Sequence, residues 1–345
     1  MRKARLTGLC ALLLSCCLAL AGCFGMEQEP LVAATVNGQA IAEDEVTGYI
    51  EGFRSQNADY ESDEGWLAFL TENGYTPETM RTYILDSVFV PQVLIEQQCE
   101  QLGITLTDSE LDSVIEQERA YYEERYGENS WDSVLASYGY DEESWRENEA
   151  TRLLEEQLME EVAGDVQATR KEVQAEADEN AYVYNGKHSR YLLFDDEKDA
   201  LEAAEYLQGR KKGVTDKALA KAGYNTYYAG WSSLSQYADN MSSDYIAVLN
   251  ELEEGQASDP LQQDDGTWVV IFCDEVFSVG ADDESVDLDA IPALILMQIE
   301  EDARQGAMEE AFAEWMEELT ESSEVLYNAM PDDLSYDVNV SISGT

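Results

Sequence analysis

The sequence predicts an α+β protein in which helical segments at both ends enclose a shorter segment of mixed helices and strands. Three observations support this fold class. Helix-start signals and apolar residues at helical spacing recur up to residue 162, strand-like runs and glycine turns fill residues 181–278, and a helical pattern returns at residues 290–320. Hydrophobic residues make up 44% of the chain, which is enough to build a packed core.

The N-terminal half begins with residues 31–41, which predict a short strand and a turn at Asn37-Gly38, and continues as helix from Glu43. Thr76-Pro77-Glu78 predicts the start of one helix over residues 78–102, because proline suits the first helical position. Thr107 and Glu110 have the spacing of a capping box and predict another helix start. Apolar residues then recur at helical spacing, which predicts further helices, the last of them over residues 142–162.

In the second half of the chain, strand patterns appear among the helical ones. Residues 165–180 are polar and suit a connector, and strands are predicted at Tyr191–Phe194 and Trp268–Cys273 with a helix near residues 195–212 between them. Residues 290–320 predict a long helix with an apolar stripe. The stripe consists of Met308, Phe312, Trp315 and Leu319. The chain ends in an alternating segment that predicts either a strand or an unstructured tail.

The N-terminus has the layout of a secretory signal. Residues 1–5 hold three basic residues, residues 6–20 are apolar and uncharged, and small residues precede Cys23. The ending Leu20-Ala21-Gly22-Cys23 resembles the bacterial lipobox, whose cysteine receives a lipid before cleavage. The resemblance implies that residues 1–22 are removed and that a lipid on Cys23 holds the chain at the extracytoplasmic face of the cell membrane.

Charge and composition exclude several classes of function. A net charge of −53 argues against nucleic-acid binding, which needs clustered lysine and arginine, and favours basic partners. With one histidine and no Cys-x-x-Cys motif, no metal site and no cofactor are predicted. Cys99 and Cys273 are the only cysteines after Cys23 and are expected either to pair or to remain buried thiols in separate domains.

Residues 32–45 read VAATVNGQAIAEDE, and this segment resembles the opening of the SurA and PrsA type of extracytoplasmic chaperone and foldase. Residues 94–162, with "LGITLTDSELD" and "YGYDEESWRENEATRLLEEQL", are similar to its helical module, and residues 291–327 to its returning helix. Residues 188–278 resemble the inserted parvulin domain, a peptidyl-prolyl isomerase fold, through "HSRYLLF", Ala229-Gly230-Trp231 and "LEEGQASDPL".

The resemblance implies a split helical chaperone module, made of N-terminal helices and a returning C-terminal helix, with an inserted parvulin-like α+β domain. The expected boundaries are a signal peptide at 1–22, a lipid-anchored linker at 23–30, the helical module at 31–165, a connector at 166–180, the parvulin-like domain at 181–280, a C-terminal helix packing on the helical module at 285–327, and a tail at 328–345.

The residues expected at the isomerase site depart from the family pattern. Arg190 stands where the family has its first histidine, and Trp268 stands where it has its second. His188 lies two residues before Arg190, so side-chain alternation along a strand puts both on one face. The candidate catalytic residues are therefore His188, Arg190 and Trp268. Trp231, Met241, Tyr245 and Trp268 are expected to line an apolar peptide groove.

The resulting hypothesis is a membrane-anchored folding factor that binds unfolded or proline-containing exported polypeptides, with weak or no isomerase activity. One alternative is an active isomerase with a rearranged site, and another is a lipid-anchored binding module without foldase activity. Prolyl isomerisation needs no covalent step, so an apolar pocket that favours the twisted amide supplies part of the catalysis without histidine.

Overall fold

The computed structural model describes residues 31–209, 214–281 and 285–338. It has two compact units: the first comprises residues 31–154 and 319–338, and the second residues 155–318 without the two gaps. Both units combine helices with small antiparallel sheets, so the predicted mixed helix-and-sheet fold class is confirmed. The expected signal peptide, Cys23 and linker lie outside the described residues, as do residues 339–345.

A three-stranded antiparallel sheet opens the first unit, in the order β2-β1-β7. β1 (Val32–Val36) and β2 (Gln39–Ala42) form a hairpin, and β7 (Val325–Tyr327) pairs with the other edge of β1. Asn37 and Gly38 take positive φ angles of 51° and 88° at the hairpin turn, which suits this Asn-Gly pair. The strand and turn predicted over residues 31–41 are therefore present.

The helices of the first unit begin at the caps that the sequence supplies. They are α1 (Glu43–Ser55), α2 (Asp63–Glu72), α3 (Pro77–Ile84), α4 (Val90–Leu102), α5 (Asp108–Tyr126), α6 (Trp131–Ser137) and α7 (Glu142–Ala163), the last of which runs on into the second unit. Thr76 and Thr107 cap α3 and α5 as predicted. The single helix expected over residues 78–102 is interrupted by a π-helical turn at Leu85–Phe89, just before Pro91, which has no amide hydrogen for the α-helical ladder.

A buried ion pair between Arg81 and Glu43 lies beside the C-terminal segment of the first unit. Arg81 donates from Nε to Glu43 at 2.9 Å and from its terminal nitrogens to the carbonyl oxygens of Ala33 and Asn328. Tyr336 is fully buried, and its carbonyl oxygen accepts from Trp66 Nε1 at 3.1 Å. A buried arginine is stable only when its donors are paired, so these contacts tie the N-terminal helices to residues far along the chain.

The second unit contains a four-stranded antiparallel sheet in the order β4-β3-β6-β5. The strands are β3 (Gly186–Phe194), β4 (Tyr227–Trp231), β5 (Leu261–Gln262) and β6 (Trp268–Phe277). The helices are α8 (Arg170–Asn180), α9 (Glu197–Gln208), α10 (Asp216–Ala222), α11 (Ser235–Ala238), α12 (Ser243–Glu251) and α13 (Ala293–Ser322). Both predicted strands are present and longer than predicted.

The two faces of this sheet bury different helices. Leu192 of β3 pairs with Val270 of β6, and both pack under α9. Their neighbours in sequence point to the opposite face, where Ile271 and Val269 pack with Tyr245 of α12. Alternation along the paired strands thus gives the sheet an α9 face and an α12 face.

The first half of α13 packs inside the second unit. Ile295 and Ile299 are fully buried in a cluster that includes Val173 and Ala177 of α8 and Trp231 of β4. This arrangement differs from the expectation that residues 285–327 pack on the N-terminal module and that residues 166–180 serve as a connector. Val173 and Ala177 stand four residues apart, so α8 presents one apolar stripe that needs a helical partner.

The described ranges carry no helix with both the length and the apolar character that a membrane crossing requires. Over the same ranges no three His, Cys, Asp or Glu side chains gather as a group able to hold a metal ion. Cys99 and Cys273 are free, buried and in different units. Burial raises the pKa of both thiols, and that of Cys273 to about 11, which makes them poor nucleophiles at neutral pH.

Candidate functional site

A cleft of about 440 Å³ opens on the α12 face of the sheet in the second unit. Its walls come from β3, β4, β6 and the segment from α11 to α12, and they are mainly aromatic and aliphatic. The lining side chains include Tyr191, Leu193, Tyr228, Ala229, Tyr237, Met241, Tyr245 and Val269, with Asn240, Ser242, Gln263, Asp265 and Thr267 supplying the polar part. A concave site that combines apolar walls with polar groups suits a peptide ligand.

Aromatic rings form the floor of the cleft. Tyr191 stacks on Tyr227, with ring centroids 5.3 Å apart, and meets Tyr245 edge to face at 6.0 Å. Tyr191 points into the cleft because β3 alternates and Leu192 is buried on the α9 face. Three tyrosines from two strands and one helix are thereby held in one rigid group.

Gly230 allows Tyr237 to form one wall. Its φ angle is +83°, and a Cβ placed there would lie 2.5 Å from ring atoms of Tyr237. A larger residue would therefore be strained in its backbone and would push the ring away. This close approach is the physical reason for glycine in the Ala229-Gly230-Trp231 segment.

Two polar groups of the cleft, Tyr245 and Asp265, differ in their charge. Tyr245 Oη lies 3.1 Å from Ser189 Oγ in a buried contact, and desolvation by burial raises the pKa of Tyr245, so its phenol stays neutral. Asp265 accepts hydrogen bonds from the Thr267 hydroxyl at 2.6 Å and its amide at 2.9 Å, and these bonds lower the pKa of Asp265. The cleft thus combines a neutral aromatic floor with a charged carboxylate.

The structure divides the predicted groove residues. Met241 and Tyr245 line the cleft. Trp231 does not, because it is only 2% exposed and packs in the core with α8 and α13. Trp268 also lies elsewhere, because it pairs with Phe194 and packs on the α9 face of the sheet. Neither tryptophan therefore lines the groove as expected, because the fold directs both side chains to other parts of the second unit.

The candidate catalytic residues also lie off the cleft. Arg190 is 8% exposed and pairs with Phe272 on the α9 face, where it donates from Nε to Asp274 at 2.7 Å and from Nη1 to Asp216 at 2.7 Å. His188 Nδ1 lies 3.5 Å from Asp274. His188 and Arg190 thus share one carboxylate, whereas Trp268 is separated from them along the strand. None of the three lines the cleft.

Asp274 is the residue of this cluster that sequence reasoning missed. The pairing of β3 and β6 passes from Ser189↔Cys273 to His188↔Glu275, so Asp274 is left unpaired at a bulge. Burial works to raise its pKa, but hydrogen bonds from His188 and Arg190 outweigh burial and hold the pKa of Asp274 below its ordinary value. Asp274 is therefore a charged partner for both basic side chains.

Comparison with known proteins finds similarity to one family of folding factors. Residues 1–159 match the family model of the SurA-like N-terminal domain. A foldase protein PrsA of Clostridium acetobutylicum is 25% identical over 269 residues, which are 73% of this chain and 78% of that protein. A foldase protein PrsA of Clostridium perfringens is 24% identical over 249 residues, 69% of this chain and 71% of that one. The chain is similar in sequence to the PrsA-type foldases.

Solved structures include a SurA-like chaperone of Campylobacter jejuni, which covers 87% of this chain and 99% of its own length at 13% identity, with a TM-score of 0.39. The aromatic and aliphatic cleft residues that the sequence did not single out include Tyr191, Leu193, Tyr228 and Tyr237. Tyr191 and Leu193 had a usable signal, because they alternate with Leu192 in a predicted strand. Tyr237 had none, because its position depends on the fold around Gly230.

Proposed function

We propose that the chain is a membrane-anchored extracytoplasmic folding factor that binds unfolded exported polypeptides, with a prolyl-isomerase-like domain of weak or no activity. The relationship to PrsA-type foldases and the SurA-like match over residues 1–159 support the folding role. The lipobox-like ending at Cys23 supports a lipid anchor and an extracytoplasmic position.

The observation that carries the proposal is an aromatic cleft with no histidine among its described lining residues. Its apolar floor of Tyr191, Met241 and Tyr245 suits a proline ring or another apolar side chain of an extended peptide. The single histidine of the chain, His188, is paired with Asp274 outside the cleft. Binding energy is therefore available for a peptide, whereas a basic group beside the bound amide is not among the described lining residues.

Catalysis would have to rest on the shape of the cleft. The barrier to prolyl isomerisation is about 18–20 kcal/mol, and an isomerase must bind the twisted amide more tightly than the planar one. Met241 and the tyrosines contact a ligand mainly through apolar surface, which binds both states of the amide with similar strength. This cleft is therefore suited to holding clients more than to accelerating their isomerisation.

The test uses the chain from residue 24 with a blocked proline tetrapeptide and, in parallel, an unfolded client that aggregates. We expect aggregation to be suppressed, the tetrapeptide to bind, and its cis-to-trans exchange to show no measurable acceleration. Met241→Asp should weaken peptide binding by about tenfold or more, since a charge replaces an apolar contact. Met297→Asp is the matched control, because Met297 is 61% exposed on α13.

Other outcomes identify the alternatives. Acceleration that disappears in His188→Ala would make the protein an active isomerase with a displaced histidine. Acceleration that survives His188→Ala but not Met241→Asp would indicate catalysis by the cleft alone. Peptide binding without suppression of aggregation would leave a lipid-anchored binding module without foldase activity.

A further inference from the structure

A second cleft, of about 460 Å³, lies in the first unit and is lined by side chains of α5, α6 and α7. We call it the acidic cleft. Trp131 and Trp145 form its aromatic part, with ring centroids 6.1 Å apart and planes at 88°. Glu116 and Glu143 are exposed on its rim. Every lining residue lies between positions 112 and 146, so the cleft belongs to the first unit alone.

Two buried donors in this cleft lack acceptors. Trp131 is 3% exposed, and its Nε1 has no hydrogen-bond partner among the described residues. The same holds for Nε of Arg119, whose guanidinium lies 5.7 Å from the centre of the Trp131 ring. By contrast, Nε1 of Trp145 donates to Glu118 at 3.0 Å, and Nε1 of Trp66 donates to a carbonyl oxygen.

Unpaired donors of this kind point to a missing acceptor. Leaving a buried donor without a partner costs about 1–3 kcal/mol, and folded proteins rarely leave such donors unpaired. Trp131 and Arg119 both line the acidic cleft, so the cleft is the space from which an acceptor would approach their donors. The group that fits them is an oxygen acceptor.

The charges around the cleft distinguish between a neutral and an anionic oxygen acceptor. Asp112, Glu116, Glu142 and Glu143 line it, against only two arginines. Both arginines are already paired, Arg119 with Glu142 and Arg146 with Asp112. A phosphate or carboxylate would therefore enter a negative field, whereas a neutral carbonyl oxygen would not. Glu116 and Glu143 form no ion pair among the described residues and favour a cation beside that carbonyl.

We propose that the acidic cleft binds a basic stretch of extended polypeptide. A main-chain carbonyl oxygen accepts from Trp131 Nε1 and Arg119 Nε, and a neighbouring lysine or arginine side chain lies near Glu116 and Glu143. This inference rests on the proposed client-binding function and names the client chemistry: segments rich in lysine and arginine. It uses a site separate from the aromatic cleft of the second unit.

The experiment follows the indole resonances of the chain from residue 24, labelled with ¹⁵N at tryptophan. The probes are the blocked pentapeptides acetyl-Ala-Lys-Ala-Lys-Ala-amide and acetyl-Ala-Glu-Ala-Glu-Ala-amide, and Trp131→Phe assigns the resonance. We expect the lysine peptide to shift the Trp131 indole signal saturably and the glutamate peptide to leave it in place. The double change Glu116→Gln and Glu143→Gln should weaken lysine-peptide binding by about three- to tenfold.

The matched control is the double change Glu124→Gln and Glu128→Gln, which removes the same charge from exposed positions outside the cleft lining. Equal weakening by both double variants would overturn the proposal, because it would reflect the overall charge alone. A Trp131 signal that neither peptide moves would also overturn it. If aggregation of a client is still suppressed in that sample, the folding role stands and only the acidic-cleft assignment fails.

Discussion

At the scale of single residues, the position that distinguishes this chain most is Arg190. Arg190 stands where the resemblance places a histidine, and its side chain is buried and paired with Asp274 and Asp216. The buried guanidinium of Arg190 is stable because these two carboxylates pair with it, and His188 adds a further contact to Asp274. The cluster therefore holds β3 to β6 and to α10, a structural role.

Arg190→Met should lower the free energy of unfolding of the second unit by about 3 kcal/mol at pH 7, because it leaves the charged Asp274 with only the longer contact to His188. The pKa of Asp274 is depressed in the folded state, so the stabilisation is present above its unfolded pKa of about 3.9 and is lost as the pH falls through the lower folded value. The difference between native and variant protein should therefore shrink below about pH 4.

Urea unfolding followed by circular dichroism at pH 7 and at several values below pH 4 measures this difference. Arg170→Met serves as the control, because Arg170 is highly exposed and its partner Asp289 lies 3.9 Å away. Equal losses in the two variants, or a difference that does not vary with pH, would contradict the assigned role of Asp274.

At the scale of elements, α13 has one buried face and one exposed face. Ile295, Ile299 and Ala303 are buried at spacings of four residues, whereas Met297 between them is 61% exposed. An apolar stripe of this kind is expected for a helix packed on one side. The sequence pattern predicted this helix. It did not predict packing on α8 and β4, because those elements come next to α13 only in the folded chain.

Ile299→Ala should destabilise the second unit by about 2–4 kcal/mol, since it leaves a cavity in the cluster with Val173 and Trp231. Met297→Ala on the same helix should change the free energy of unfolding by less than about 0.5 kcal/mol. Thermal unfolding with Trp fluorescence as a second probe compares the two. A large effect of Met297→Ala with none of Ile299→Ala would reverse the assignment of the buried face.

At the scale of the whole molecule, the net charge bears on the proposed anchoring. The net charge of −53 opposes self-association and favours basic clients, and loss of residues 1–22 removes only basic residues among the charged ones. A chain of this charge gains nothing from an anionic lipid surface. A covalent lipid is therefore the consistent way to hold it at a membrane, in line with the proposed role of Cys23.

Cys23→Ala should abolish membrane retention or leave the signal uncleaved, because the thiol is the proposed site of lipid attachment. Fractionation of cells into membrane and soluble material, with immunoblotting for size, measures both effects. Cys17→Ala, within the same apolar segment, is the control and should be processed and retained normally. Retention of a normally processed Cys23→Ala protein would remove the basis for the anchor.

The sequence alone determined the local elements, because their signals lie within a few residues. Thr76 and Thr107 cap their helices through contacts three residues away, and Asn37-Gly38 forms its hairpin turn. The order of such segments also predicted the mixed helix-and-sheet class and the similarity to PrsA-type foldases.

Only the tertiary structure decided the site, because strand register and long-range packing are not encoded in neighbouring residues. Met241 and Tyr245 reach the cleft, but Trp231 turns into the core and Trp268 to the opposite face of the sheet. The bulge at Asp274 gives His188 and Arg190 a common partner that lies 84 positions from Arg190 in the chain. Contacts over such distances appear only when the folded chain brings the strands together.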